Sequence, residues 1–179
     1  MKKQTYLFHS FLVLFLAGCS LNNDKVESKD LIQKGIKQFV EQQDTGVEIK
    51  KTVYLNENSE SKKFLVTDWK KELSAFSEIS FTKISKQGDL VFDTTLDQRT
   101  NRYLIRGMRL ENGPGFQNLF VILDSNRRLL QFKALQLKEG YFSNSQIDYF
   151  WSTEGEYQYR KVEQRRFRDD TKIEIIAEW

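Results

Sequence analysis

The stretch Arg160-Lys161-Val162-Glu163-Gln164-Arg165-Arg166-Phe167-Arg168 is where this chain has the most charge with which to hold something. Guanidinium forks take carboxylate or phosphate oxygens two at a time. Arg160, Lys161, Arg165, Arg166 and Arg168 therefore form a candidate anion-contact surface for lipid head groups, lipopolysaccharide or an acidic partner. All ten arginines lie between Arg99 and Arg168, and residues 97–168 hold 13 basic and 8 acidic side chains. The plainer reading is cross-strand pairing with Glu154, Glu156 and Glu163 on a solvated face, and the spacing favours it. Just upstream, Tyr149, Phe150, Trp151, Tyr157 and Tyr159 flank the Ser152–Gly155 turn. They form a candidate aromatic contact surface, suited to stacking on sugars or anchoring a protein. Cross-strand aromatic pairs also hold ordinary hairpins together, which the pattern favours. Phe150 has the opposite parity to Tyr149 and Trp151 and is the hardest of the five to place in a core.

Signals of catalysis are weaker. Ser80-Phe81-Thr82-Lys83 and Ser59-Glu60-Ser61-Lys62 match Ser-x-x-Lys, but without the supporting motifs of a serine–lysine enzyme. Asp93, Asp97 and Asp148 include candidates for a glycosidase-type carboxylate pair. No glycine-rich phosphate loop and no calcium-loop pattern occurs. The only histidine is His9 and the only cysteine is Cys19.

Those two positions matter because of what surrounds them. Lys2 and Lys3 precede an apolar run from Tyr6 to Leu16, and Leu16-Ala17-Gly18-Cys19 closes it. Charge, length and small residues fit a secretory signal too short to span a bilayer. The last four residues resemble the lipobox of bacterial lipoproteins. The resemblance implies cleavage before Cys19 and attachment of diacylglyceryl and palmitate-class acyl chains to it. It also implies localisation in the cell envelope, with Ser20 matching the outer-membrane choice of proteobacteria. Two or three chains at about 0.8 kcal/mol per buried methylene make such attachment effectively permanent.

Under that reading residues 1–18 are a signal peptide, 19–27 a lipidated tether and 28–179 one domain. The net charge falls from +3 for the whole chain to +1 for residues 19–179. Neither charge nor compartment points to nucleic acid. With His9 removed and Cys19 acylated, the domain has no imidazole or free thiol. Histidine-based triads and the usual zinc, haem and iron–sulfur ligand sets are then excluded, and no cofactor is expected.

The elements that must position these groups follow from periodicity. Ile32, Ile36, Phe39 and Val40 behind Ser28 predict an amphipathic helix over 29–43, and Val47–Leu55 a strand. Residues 56–62 read as a polar loop. Leu65, Trp69, Leu73 and Phe76 at i, i+4, i+8 and i+11 predict a second helix over 61–77. From Asp89 onward the period becomes two, with turn residues between successive runs. A phase slip within Arg128–Lys138 predicts a bulge near Ala134. The expected fold is α+β: a curved antiparallel β-meander of six or seven strands with two N-terminal amphipathic helices packed on one face.

The texture of this region, including Asp68-Trp69-Lys70-Lys71-Glu72-Leu73, loosely resembles uncharacterised lipoproteins of Bacteroidota, and the resemblance implies no active site. The plan is also similar, by architecture alone, to that of periplasmic lipoprotein carriers and receptors. The expected function is a membrane-anchored envelope lipoprotein with a non-catalytic binding or assembly role toward an envelope partner. A carrier or chaperone for a lipid or other apolar ligand is the alternative, and a carboxylate-dependent carbohydrate-active enzyme the second. The sequence assigns no oligomeric state.

Overall fold

The computed structural model describes residues 31–44, 46–77, 79, 90–111 and 113–179. The signal, Cys19, the tether, Ser28 and the Ser80–Lys83 motif lie outside the described residues. The chain forms α1 (Leu31–Gln42), β1 (Val47–Leu55), β2 (Asn58–Val66), α2 (Trp69–Glu72), α3 (Ser74–Ser77) and β3 (Leu90–Asp97). It continues with β4 (Arg102–Arg109), β5 (Gly115–Leu123), β6 (Leu129–Glu139), β7 (Ser143–Ser152), β8 (Glu156–Arg165) and β9 (Thr171–Glu178).

Ile32, Ile36 and Phe39 turn one face of α1 into the core, and Gly35 lies on that face. A Cβ there would meet Leu129 Cβ at 2.4 Å, so glycine is what lets the helix approach β6 this closely. Here a weak helix former is required by packing.

The nine strands form one antiparallel sheet in the order β2-β1-β9-β8-β7-β6-β5-β4-β3. The expected sheet of six or seven strands with two packed helices is corrected by this topology. The first part of the predicted second helix, residues 61–66, instead belongs to β2, paired residue for residue with β1 from Val47↔Val66 to Leu55↔Asn58. The reason lies in the supposed polar loop. Asn56 takes φ +53, the left-handed conformation of a tight hairpin turn. Its backbone N–H donates to Lys172 O, and its Oδ1 accepts from Lys172 N, both at 2.8 Å. The turn is thus locked to β9, and β1 has a partner on each side. Only Trp69, Leu73 and Phe76 of the helical stripe are buried, while Leu65 is 59% exposed on the edge strand. Two single turns of helix carry Trp69 (α2) and Phe76 (α3), and Leu73 is the residue that joins them.

The register lines up the core. Ala177, Tyr157, Trp151, Phe132, Val121 and Ile105 form one row across six adjacent strands. Helical residues close over it: the Phe39 ring stands 5.6 Å from Trp69 and 5.2 Å from Trp151, and Phe76 stands 5.3 Å from Tyr157. Edge-on aromatic pairs of this kind add about 0.5–1.5 kcal/mol each to plain burial. The register slips twice, leaving Gln117 unpaired on β5 and Leu130 unpaired on β6. The second slip restores inward parity for Leu129 and Phe132, four residues before the predicted bulge at Ala134.

Because neighbours are antiparallel, the β1–β2, β4–β5, β6–β7 and β8–β9 turns share one end of the sheet, here the distal end. The other three turns share the end where α1 meets Leu129.

Candidate functional site

Between the β1–β2 hairpin and α2–α3 the helical cover stops short of the sheet, leaving a cleft of about 490 Å³. That is within the usual range for small-ligand sites. Phe64, Val66, Phe76, Tyr157, Tyr159 and Ile175 give it an apolar floor, and Lys71 stands on its rim. Asp68 sets the geometry by capping α2, its carboxylate accepting from Lys71 N at 3.0 Å. The cap starts a helix just long enough to bury Trp69 and aim Glu72 back at the sheet.

Glu72 meets two groups there. Lys51 Nζ lies 2.6 Å from Glu72 Oε1, and the Tyr157 hydroxyl donates to the same oxygen. Lys51 projects from the core row beside Ala177, and its ammonium sits 6.0 Å from the Phe64 and Tyr157 ring centres. Burial, then the bond and charge of Glu72, hold the Tyr157 phenol far above its usual range. Tyr157 therefore remains a proton donor at physiological pH, and its bond with Glu72 is a fixed part of the floor. Lys71 makes no ion pair among the described residues, so the rim keeps a cation to offer. An apolar floor rimmed by the Lys71 ammonium and the Asp68 carboxylate suits an amphipathic ligand whose anionic head meets Lys71, Asp68 being committed to the α2 cap.

The candidate aromatic surface divides between faces. Trp151, Tyr157 and Tyr149 are buried under the helices, with Trp151 fully covered. Tyr159 is half-buried on the same face, 5.6 Å from Tyr149. Phe150 alone occupies the opposite face, with Lys133 Nζ 5.1 Å from its ring centre. Phe120 carries Arg106 in the same way at 6.0 Å, so cations and aromatic rings alternate across four strands there.

The basic stretch divides as well. Arg160 lies on the Phe150 face, in register between Asp148 and Glu174. Lys161 and Arg165 lie on the helix-bearing face and both pair with Glu163, at 2.7 and 3.1 Å. Those bonds, Lys161 first, hold the Glu163 carboxyl below its ordinary range. Arg166 and Arg168 belong to the β8–β9 turn.

The carboxylate candidates are not brought together. Asp93 on β3 and Asp148 on β7 are four strand spacings apart, about 19 Å at ~4.8 Å each, well beyond a glycosidase pair. Asp97 is used by its own turn, accepting from Arg99 N and Thr100 Oγ1. Ser59 and Lys62 are three apart on a strand and face opposite ways.

Sequence reasoning missed Lys51, Phe64 and Glu72 as cleft residues, since their meeting depends on the β1–β9 pairing. Strand β7 starts at Ser143, and Tyr141 and Phe142 before it form an exposed turn. The chain matches no protein-family model, no curated protein and no solved structure.

Proposed function

We propose that this protein is a lipid-anchored lipoprotein of the cell envelope, held at the outer membrane, that works by binding and not by catalysis. Its ligand site is the cleft between the β1–β2 hairpin and α2–α3, and its ligand is a lipid or similar amphipathic molecule with an anionic head. The anchor rests on Leu16-Ala17-Gly18-Cys19. The observation that carries the binding role is an apolar floor open to solvent, whose Lys51, Glu72 and Tyr157 are already paired with one another.

Ala75 is exposed, helical and on the cleft wall, so Ala75→Trp should fill the space without disturbing the core. A fluorescent long-chain fatty acid should brighten on binding the full chain. It should fail to do so with Ala75→Trp of unchanged circular dichroism. Equal binding by both proteins would place the site elsewhere, and no binding by either would end this reading.

A further inference from the structure

The three most exposed aromatic side chains among the described residues sit at the distal end, beside its arginines. Phe167 is 82% exposed, Tyr141 77% and Phe142 65%. They come from two neighbouring turns, β6–β7 and β8–β9, tied by a 3.1 Å bond from Arg166 N to Phe142 O. Tyr141 and Phe142 pack edge to face at 4.8 Å, and the Arg166 guanidinium lies 5.6 Å from the Tyr141 ring centre. A pocket of about 520 Å³ separates Phe142 from Phe167 and is walled by Arg165 and Arg168. The turns thus hold their aromatic rings together and out in water, where a folded chain gains nothing from them.

The nearby acids do not neutralise this surface evenly. Glu163 is taken by Lys161 and Arg165, and Asp170 Oδ1 accepts from Arg165 N. Arg166 and Arg168 form no ion pair among the described residues. Aromatic rings flanked by unpaired guanidinium groups match the bilayer interface, where rings lodge at head-group depth and arginine meets phosphate.

We propose that Tyr141, Phe142 and Phe167, with Arg166 and Arg168, form a second membrane contact that lays the distal end on an anionic lipid surface. The proposal rests on the Cys19 anchor: twelve residue steps separate Cys19 from Leu31, a reach of at most about 40 Å. Within that radius the local lipid concentration is high enough for a contact too weak to bind by itself.

Phe167→Trp supplies a reporter, since Trp69 and Trp151 are buried and Trp179 is partly buried beside the β7–β8 turn at the opposite end of the sheet. The lipidated full chain is reconstituted into vesicles of brominated phosphatidylglycerol. The added tryptophan should be quenched beyond the wild-type background. Quenching should fall in brominated phosphatidylcholine, at high salt, and when Arg166→Gln and Arg168→Gln are added. Quenching indifferent to head group, salt and arginine would overturn the anionic contact. A chain that stays on vesicles with its new tryptophan unquenched would overturn the surface while sparing the anchor. A chain that leaves the vesicles would overturn both. A tryptophan unquenched by lipid yet shifted to the blue in native membranes would assign this end to a protein instead.

Discussion

Tyr157 and Glu72 stand 85 residues apart in sequence and meet in one hydrogen bond, the phenol donating to the carboxylate. Lys51 shares that carboxylate, so one side chain on a four-residue helix answers two groups on the sheet.

Glu72→Ala should therefore cost about 2 kcal/mol, the price of leaving a buried hydroxyl and a part-buried ammonium without their acceptor. Urea unfolding of the full chain measures it. A loss below about 0.5 kcal/mol, the size of an ordinary surface change, would mean that Glu72 is a surface residue in solution.

The same pair predicts an alkaline limit. Tyr157 holds its proton more tightly folded than unfolded, where the ordinary value is 10.0. Its contribution is fully present below that pH and is lost as pH rises through and beyond it. Unfolding midpoints should fall above about pH 10 in the wild type and fall less in Tyr157→Phe. Identical pH profiles would sever the link.

Gly35→Ala tests the close approach of α1. Alanine gains about 1 kcal/mol of helix propensity. Its Cβ would nonetheless press on Leu129, and overpacking typically costs about 1–3 kcal/mol. The substitution should destabilise, and Leu129→Val should not restore it, because valine keeps the Cβ on which the new methyl presses. Thermal melts of the three variants decide the sign.

Trp69→Ala and Leu65→Ala separate the two readings of residues 61–77. A single helix would make both costly. The hairpin makes Trp69→Ala cost about 3–5 kcal/mol, and Leu65→Ala less than about 1 kcal/mol. Equal losses by chemical denaturation would contradict the observed strand.

Cys19→Ser should abolish incorporation of a fatty-acid analogue in growing cells and leave the chain unprocessed or released. Equal labelling of mutant and wild type would remove the anchor from the functional reading.

What the sequence made legible was local. The Ile32/Ile36/Phe39 spacing marks α1, and the alternation around Trp151 marks an inward-facing strand, because each pattern is set by its own segment. Antiparallel order from β3 to β9 follows from short turns. The hairpin was not legible. A Leu-Trp-Leu-Phe stripe imitates a helix, and only the partnership of Asn56 with Lys172, 116 residues away, shows why the chain reverses there. The aromatic cluster was visible as a cluster, but burial of Trp151 and exposure of Phe167 depend on where the turns fall. The cleft was invisible for the same reason: no short window contains Lys51, Glu72 and Tyr157 together.

The seam between β1 and β9 also sets an order in time. Residues 47–55 are made early, yet their second neighbour is residues 171–178, so the N-terminal hairpin has one open flank until the last strand has been synthesised. Lys50, Lys51 and Glu48 keep that waiting flank charged, which discourages it from pairing with another chain. Loss of the final strand would do more than shorten the sheet. It would detach β1–β2 from β8, remove the wall that holds Lys51 against Glu72, and leave a nascent chain with two unpaired edges in the middle of its own architecture.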